Sequence, residues 1–176
     1  MTRPELETTE QALAYLAQMS PTETFHAQPF PHGWVCTKVL SPEQMSSGQA
    51  VGLARVVIDS ETGIVYQYPS WSETMVADAH ATFKQTGINQ ASQIYPYQWT
   101  ITVRRVQEDD ETIVYRMTAE SLTDPPEPTQ QHPLTLEKHT HAYDPTDWLS
   151  SVATSHVRWA TDRHHGVWPD VDTSQV

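Results

Sequence analysis

The sequence predicts an α+β fold: a mostly antiparallel sheet of about six strands with three helices, in the order α-βββ-α-βββ-α. Three observations carry this. β-prone runs come in groups between helical stretches, instead of alternating with them one by one. Two of these runs flank the pentapeptide Asp59 to Gly63, in which an Asp side chain can close a turn and a glycine can take positive φ. Apolar residues recur at helical spacing after Trp71 and stop at Gly87, where a helix-ending glycine belongs.

The first helix is signalled by Thr8 and Gln11, which have the spacing of a capping box, followed by Ala12, Leu13, Leu16 and Ala17. Ser20-Pro21 ends it, because a residue before proline avoids the α region. Residues 20–33, with three prolines, read as a loop. Strands are expected from Trp34 to Leu40, from Val51 to Ile58 and from Ile64 to Tyr68, with a polar loop over 41–49. In the second helix Ser70 and Glu73 have capping spacing, and Trp71, Met75, Ala79 and Phe83 recur every four residues. Strands are expected again over 97–106 and 112–119, joined by Glu108-Asp109-Asp110-Glu111, and over 134–143. Four prolines within 124–133 argue against a central strand there. Asp144 reads as the N-cap of the last helix, with Pro145 at its first position and Asp147 complementing its dipole. The stripe is Trp148, Leu149, Val152, Ala153, His156, Trp159 and Ala160; Gly166 and Pro169 stop the helix, and the residues to Val176 read as frayed. One domain over 1–176 with a continuous core is expected, with 1–90 and 91–176 as the alternative subdomains.

Ten Lys and Arg against 22 Asp and Glu give a formal net charge of −12, spread as −5 over residues 1–90 and −7 over 91–176. Such a balance argues against nucleic acid or an anionic membrane as partner and favours a cationic one. A single cysteine, Cys36, excludes internal disulfides and multi-cysteine zinc sites. No apolar run approaches a membrane span, and Met1 to Glu7 lacks the basic and apolar regions of a signal peptide. A cytoplasmic protein is the expectation.

Among candidate chemistry, His139 and His141 have the H-x-H spacing that puts two imidazoles on one face of a strand, with Asp144 nearby. His164-His165 is a second pair. Neither brings a further diagnostic ligand, so structural histidines and no cofactor are the expectation. His156, on the helix stripe, reads as a hydrogen-bonded residue of the core edge. Cys36 lies inside a strand and reads as a small buried residue, not a nucleophile. Asp59 and Glu61 are explained by their turn, and Asp78 by the polar face of its helix. No catalytic motif is present, and a non-enzymatic protein is expected. Two features point to binding. The quartet Glu108, Asp109, Asp110 and Glu111, at a hairpin tip with no basic neighbour in sequence, suits a cationic groove. Tyr66 and Tyr68, alternating on a strand, suit an exposed contact surface, with Tyr95 and Tyr97 nearby.

The segment from Gly33 to Gly87 resembles the YrhB-like immunity proteins of bacterial polymorphic toxin systems. The residues that carry this are the Trp-bearing strand Gly33-Trp34-Val35, the small-residue strand from Val51 to Ile58-Asp59, the return strand Gly63-Ile64-Val65 and a Ser-capped helix. The resemblance covers about the first half of the chain; three more expected strands and a helix follow. It implies a small cytosolic binder of one toxin and no catalytic residues. Together with the charge, it leads to the expectation of an antitoxin that occludes the cationic active-site cleft of a cognate toxin, a nuclease or an NAD-degrading enzyme. A small histidine-dependent metal enzyme and a secretion chaperone are the alternatives.

Overall fold

A computed structural model describes residues 4–46 and 53–176. The fold is α+β with antiparallel pairing, as expected, but its elements form two five-stranded sheets, with ten strands and four helices among the described residues. The chain divides into two compact units, Met1–Pro96 and Tyr97–Val176.

In the first unit the helix α1 (Thr9–Met19) begins at the expected capping box, in which Thr8 and Gln11 satisfy each other's backbone N–H groups. The segment read as a loop contains a strand, β1 (Thr24–Phe30), antiparallel to β2 (Gly33–Val39). β1 is the edge strand of its sheet, which is where Pro29 is tolerated. A short helix, α2 (Pro42–Ser46), occupies part of the expected polar loop. β3 (Arg55–Asp59) and β4 (Val65–Tyr68) flank the Asp59–Gly63 turn, and β5 (Ser92–Tyr95) completes a sheet in the order β1-β2-β3-β4-β5. The expected start of β3, at Val51 and Gly52, lies outside the described residues. The helix α3 (Glu73–Thr86) is capped by Ser72, not Ser70, and ends at Gly87 with φ of 74°.

Each face of this sheet is buried. Trp34, Cys36, Val56 and Ile58 pack with Leu16 and Tyr15 of α1, while Val35, Val57, Tyr66 and Tyr68 pack with Val76 of α3. A strand covered on both faces reads as a continuous apolar run, which is why Val56-Val57-Ile58 shows no alternation. The buried side of α3 is Val76 and His80, with Ala79 and Phe83 partly covered, while Met75 is exposed. The four-residue stripe read from the sequence is therefore rotated from the true buried side.

The second unit holds the long hairpin β6 (Trp99–Glu108) and β7 (Thr112–Ser121), then β8 (Gln130–Glu137), β9 (Tyr143–Asp144), the helix α4 (Trp148–Arg163) and β10 (Val171–Gln175). The sheet order is β10-β6-β7-β8-β9. The residues read as a frayed end are thus a strand on β6, held by alternate bonds along Val171–Gln175. The expected 134–143 strand starts earlier, runs through Pro133 and breaks before His139. Pro133 is accommodated because β9 reaches only Thr135 and Leu136, leaving its outer edge open. α4 is capped by Asp147, whose carboxylate accepts from the Ser150 N–H; Asp144 lies in β9 instead. Ile101, Val103, Ile113, Tyr115, Met117, Leu134 and Leu136 meet Leu149, Ala153 and Val157 of α4 on one side of the sheet. Of the expected helix stripe, Trp148 and Trp159 are exposed and Val157 takes their place in the core.

Candidate functional site

The acidic quartet lies at the β6–β7 tip, as the sequence indicated, and its four carboxylates divide into two kinds. Asp109 builds the turn. One of its oxygens accepts from the backbone N–H groups of Thr112 (2.7 Å) and Glu111 (2.9 Å), and the other accepts from the Thr112 hydroxyl (3.0 Å). Those bonds, the Thr112 N–H first, hold its carboxyl below the usual range. Glu108 is ion-paired with Lys138 at 2.7 Å and with Arg105, and its carboxyl is lowered chiefly by the Lys138 hydrogen bond. Lys138 also donates to the Asp109 carbonyl, and its own backbone N–H donates to Glu111. The quartet therefore does have cations beside it. Lys138 comes from 30 residues later in the chain, where sequence adjacency does not reveal it, whereas Arg105 stands only three residues before Glu108 and the sequence reading passed over it. Asp110 and Glu111 remain exposed, with no ion pair among the described residues.

Tyr66 and Tyr68 are not exposed. They are 7% and 1% accessible and belong to the core between the first sheet and α3, so the expectation that they face a partner is corrected. Their alternation with Gln67 puts both on the face that α3 covers. Tyr68 opens a buried polar chain that the sequence reading missed. Its hydroxyl is 3.1 Å from His80 Nδ1, His80 Nε2 is 3.3 Å from Asp59 Oδ2, and Lys84 Nζ is 2.9 Å from that same oxygen and 2.7 Å from Glu61. A carboxylate only accepts, which puts a proton on Nε2; burial pushes the Tyr68 phenol, beside Nδ1, up to about 12. Burial acts to raise the Asp59 carboxyl, but bonds from His80, Lys84 and the Thr62 N–H outweigh it and hold it well below the usual range. The signal was present: Val76, His80 and Phe83/Lys84 share one helix side at i, i+4 and i+7/i+8.

This chain resembles a catalytic relay only in its residue types. Tyr68, His80 and Asp59 are closed to solvent, and only Lys84 and Glu61 at its end reach the surface. It ties the β3–β4 turn to α3.

A second cluster, His132, Ser150 and Asp147, caps α4. Ser150 Oγ donates to Asp147 Oδ2 at 2.7 Å, and a single histidine nitrogen, Nε2, lies 2.9 Å from Ser150 Oγ and 3.7 Å from Asp147. In a serine-nucleophile triad the imidazole stands between the other two and uses both nitrogens. Here the serine gives its proton to the aspartate directly and is itself buried.

His139 and His141 sit in the bend between β8 and β9, not on a strand, so period-two geometry does not bring them together. His139 lies 3.2 Å from the Asp110 carbonyl, against the acidic tip. Among the described residues no three of His, Cys, Asp and Glu are grouped to hold a metal ion. His156 binds Asp172 at the edge of the second core. Cys36 is fully buried, and burial pushes its thiol up to about 12. Among the described residues no helix is long and apolar enough to cross a membrane.

No protein-family model, no curated protein and no solved structure matches the chain.

Proposed function

We propose that this protein is an immunity protein, an antitoxin of a bacterial toxin system, and that it blocks a cationic cleft of its toxin with the β6–β7 tip. The observation that supports this reading is the division of labour among the tip carboxylates. Glu108 and Asp109 are spent on Lys138, Arg105 and the turn, which stiffens the hairpin end. Asp110 and Glu111 project beyond that frame with their charge uncompensated. Two carboxylates on a rigid protrusion, carried by a body of net charge −12, are suited to entering a groove that normally receives phosphate. A nuclease or an NAD-degrading enzyme has such a groove. The resemblance of residues 33–87 to YrhB-like immunity proteins points the same way, and occlusion needs no catalytic group in the inhibitor.

The test is co-expression with the product of the neighbouring gene. The unmutated chain is expected to restore growth and to co-purify with that product, and Asp110→Lys/Glu111→Lys to do neither while still folding. Full protection by the double variant would remove the tip from the mechanism. A neighbouring product that is harmless to growth would remove the antitoxin reading itself.

A further inference from the structure

The two sheets differ in how they are covered. In the first unit both faces of the sheet are buried. In the second, α4 covers one face and the other is open. Register fixes what that open face displays. Val171, Arg104, Arg116 and Pro133 form one row across β10, β6, β7 and β8. The adjacent row is Thr173, Thr102, Thr118 and Gln131.

Arg104 and Arg116 are direct cross-strand partners and both are exposed. Side chains so placed start about 4.5–5.5 Å apart at Cβ, and like charges there destabilise the pair. The unit has carboxylates to spare, 13 acidic against six basic residues over 91–176. Its other four cations are all engaged. Arg105 and Lys138 hold Glu108, Arg158 donates to the Glu137 carbonyl, and Arg163 stacks over Trp159 at 4.7 Å. The side chains of Arg104 and Arg116 have no hydrogen bond or ion pair among the described residues. Two adjacent, exposed arginines with no carboxylate partner at the centre of an open sheet are free to take one from outside.

Beside Arg116 the face dips into a groove of about 320 Å³ whose outward walls are Val106, Val114, Pro133 and Gln131. Val106 continues the outward alternation of Thr102 and Arg104, and it is 60% exposed. Apolar ground next to a fork of guanidinium groups is the surface that receives a carboxylate with an aliphatic neighbour.

We infer that the open face of the second sheet is a docking surface for an acidic protein segment, whose carboxylates seat on Arg104 and Arg116 and whose apolar side chain fills the Val106–Pro133 groove. Charge complementarity selects this occupant. Nucleic acid is disfavoured because the rows carry no aromatic side chain for bases to stack on. A second copy is disfavoured because a symmetric pairing of this face would bring Arg104 and Arg116 against the same arginines of the other copy. The inference uses neither the tip nor the antitoxin reading.

The test titrates the full chain with hexaglutamate, read by amide shifts, with pyrophosphate and oligodeoxythymidine titrated in parallel. Saturable shifts at Thr102, Arg104, Arg116 and Thr118 are expected. Arg104→Gln/Arg116→Gln is expected to weaken them at least tenfold and Asp110→Asn/Glu111→Gln to leave them unchanged. Because the arginine variant removes a repulsion, its melting temperature should equal or exceed that of the unmutated chain, which separates lost binding from lost fold. Absence of saturable shifts, or equal shifts in the arginine variant, overturns the inference. So does tighter binding of pyrophosphate or the oligonucleotide than of hexaglutamate. Self-association that vanishes in the arginine variant overturns it in favour of a second copy.

Discussion

Asp59 joins two structures with its two oxygens. Oδ1 accepts the N–H groups of Glu61 and Thr62 and shapes the turn, while Oδ2 receives His80 and Lys84 from α3. Removing one partner of a buried charge costs more than the bond is worth, since the other partner stays buried and unpaired. We expect His80→Ala to cost about 2–4 kcal/mol, read as lost hydrogen-exchange protection at Val57 in β3 and Val76 in α3. A loss below about 0.5 kcal/mol, the size of an ordinary surface change, would show that the chain of bonds is dispensable. A pH dependence follows from the same carboxylate. Its folded-state pKa lies below the unfolded value near ~3.9, so its stabilisation is complete above that pH and is lost as pH falls toward the folded value. Stability of the unmutated chain should therefore fall more steeply between about pH 5 and pH 2 than that of Asp59→Asn. Parallel acid limbs in the two proteins would contradict the assignment.

At the scale of elements, Gly33 is the tightest constraint. Its φ is 144°, and a Cβ there would stand 2.0 Å from the Ile58 carbonyl oxygen, in the backbone of the neighbouring strand. Gly33→Ala must push β2 from β3 or rotate the residue, and we expect a loss above about 2 kcal/mol, seen as reduced melting temperature and lost protection in both strands. An unchanged melting temperature would mean that the β1–β2 turn rearranges freely. The three longer helices and the two hairpins were legible because their signals are local: a capping box at Thr8, an Asp–Gly turn at Asp59, a glycine at Gly87. β1 and β10 were not. Each is an edge strand whose side chains face solvent at alternate positions, so polar sequences such as Val171–Gln175 are compatible with pairing and carry little apolar pattern. Of the candidate site, the acidic tip could be read because it is contiguous. The pairing of Glu108 with Lys138 could not, because the register of β7 with β8 brings them together. Tyr66 and Tyr68 misled for a related reason: alternation says that they share a face, and only the position of α3 says that the face is covered.

At the scale of the molecule, the charge of −12 sets up a field that acts before contact, and in the proposed function the tip sets where contact occurs. Lys138 and Arg105 neutralise the base of the hairpin and leave the uncompensated charge at Asp110 and Glu111. In the proposed function these two carboxylates steer the protein into a cationic cleft. The most direct measurement is the association rate with the neighbouring gene product, by stopped flow, for the unmutated chain and Asp110→Lys/Glu111→Lys at about 20 mM and about 500 mM salt. The variant is expected to associate at least ~10-fold more slowly at low salt, and the gap to narrow at high salt as screening sets in. Equal rates at both salt concentrations would contradict it.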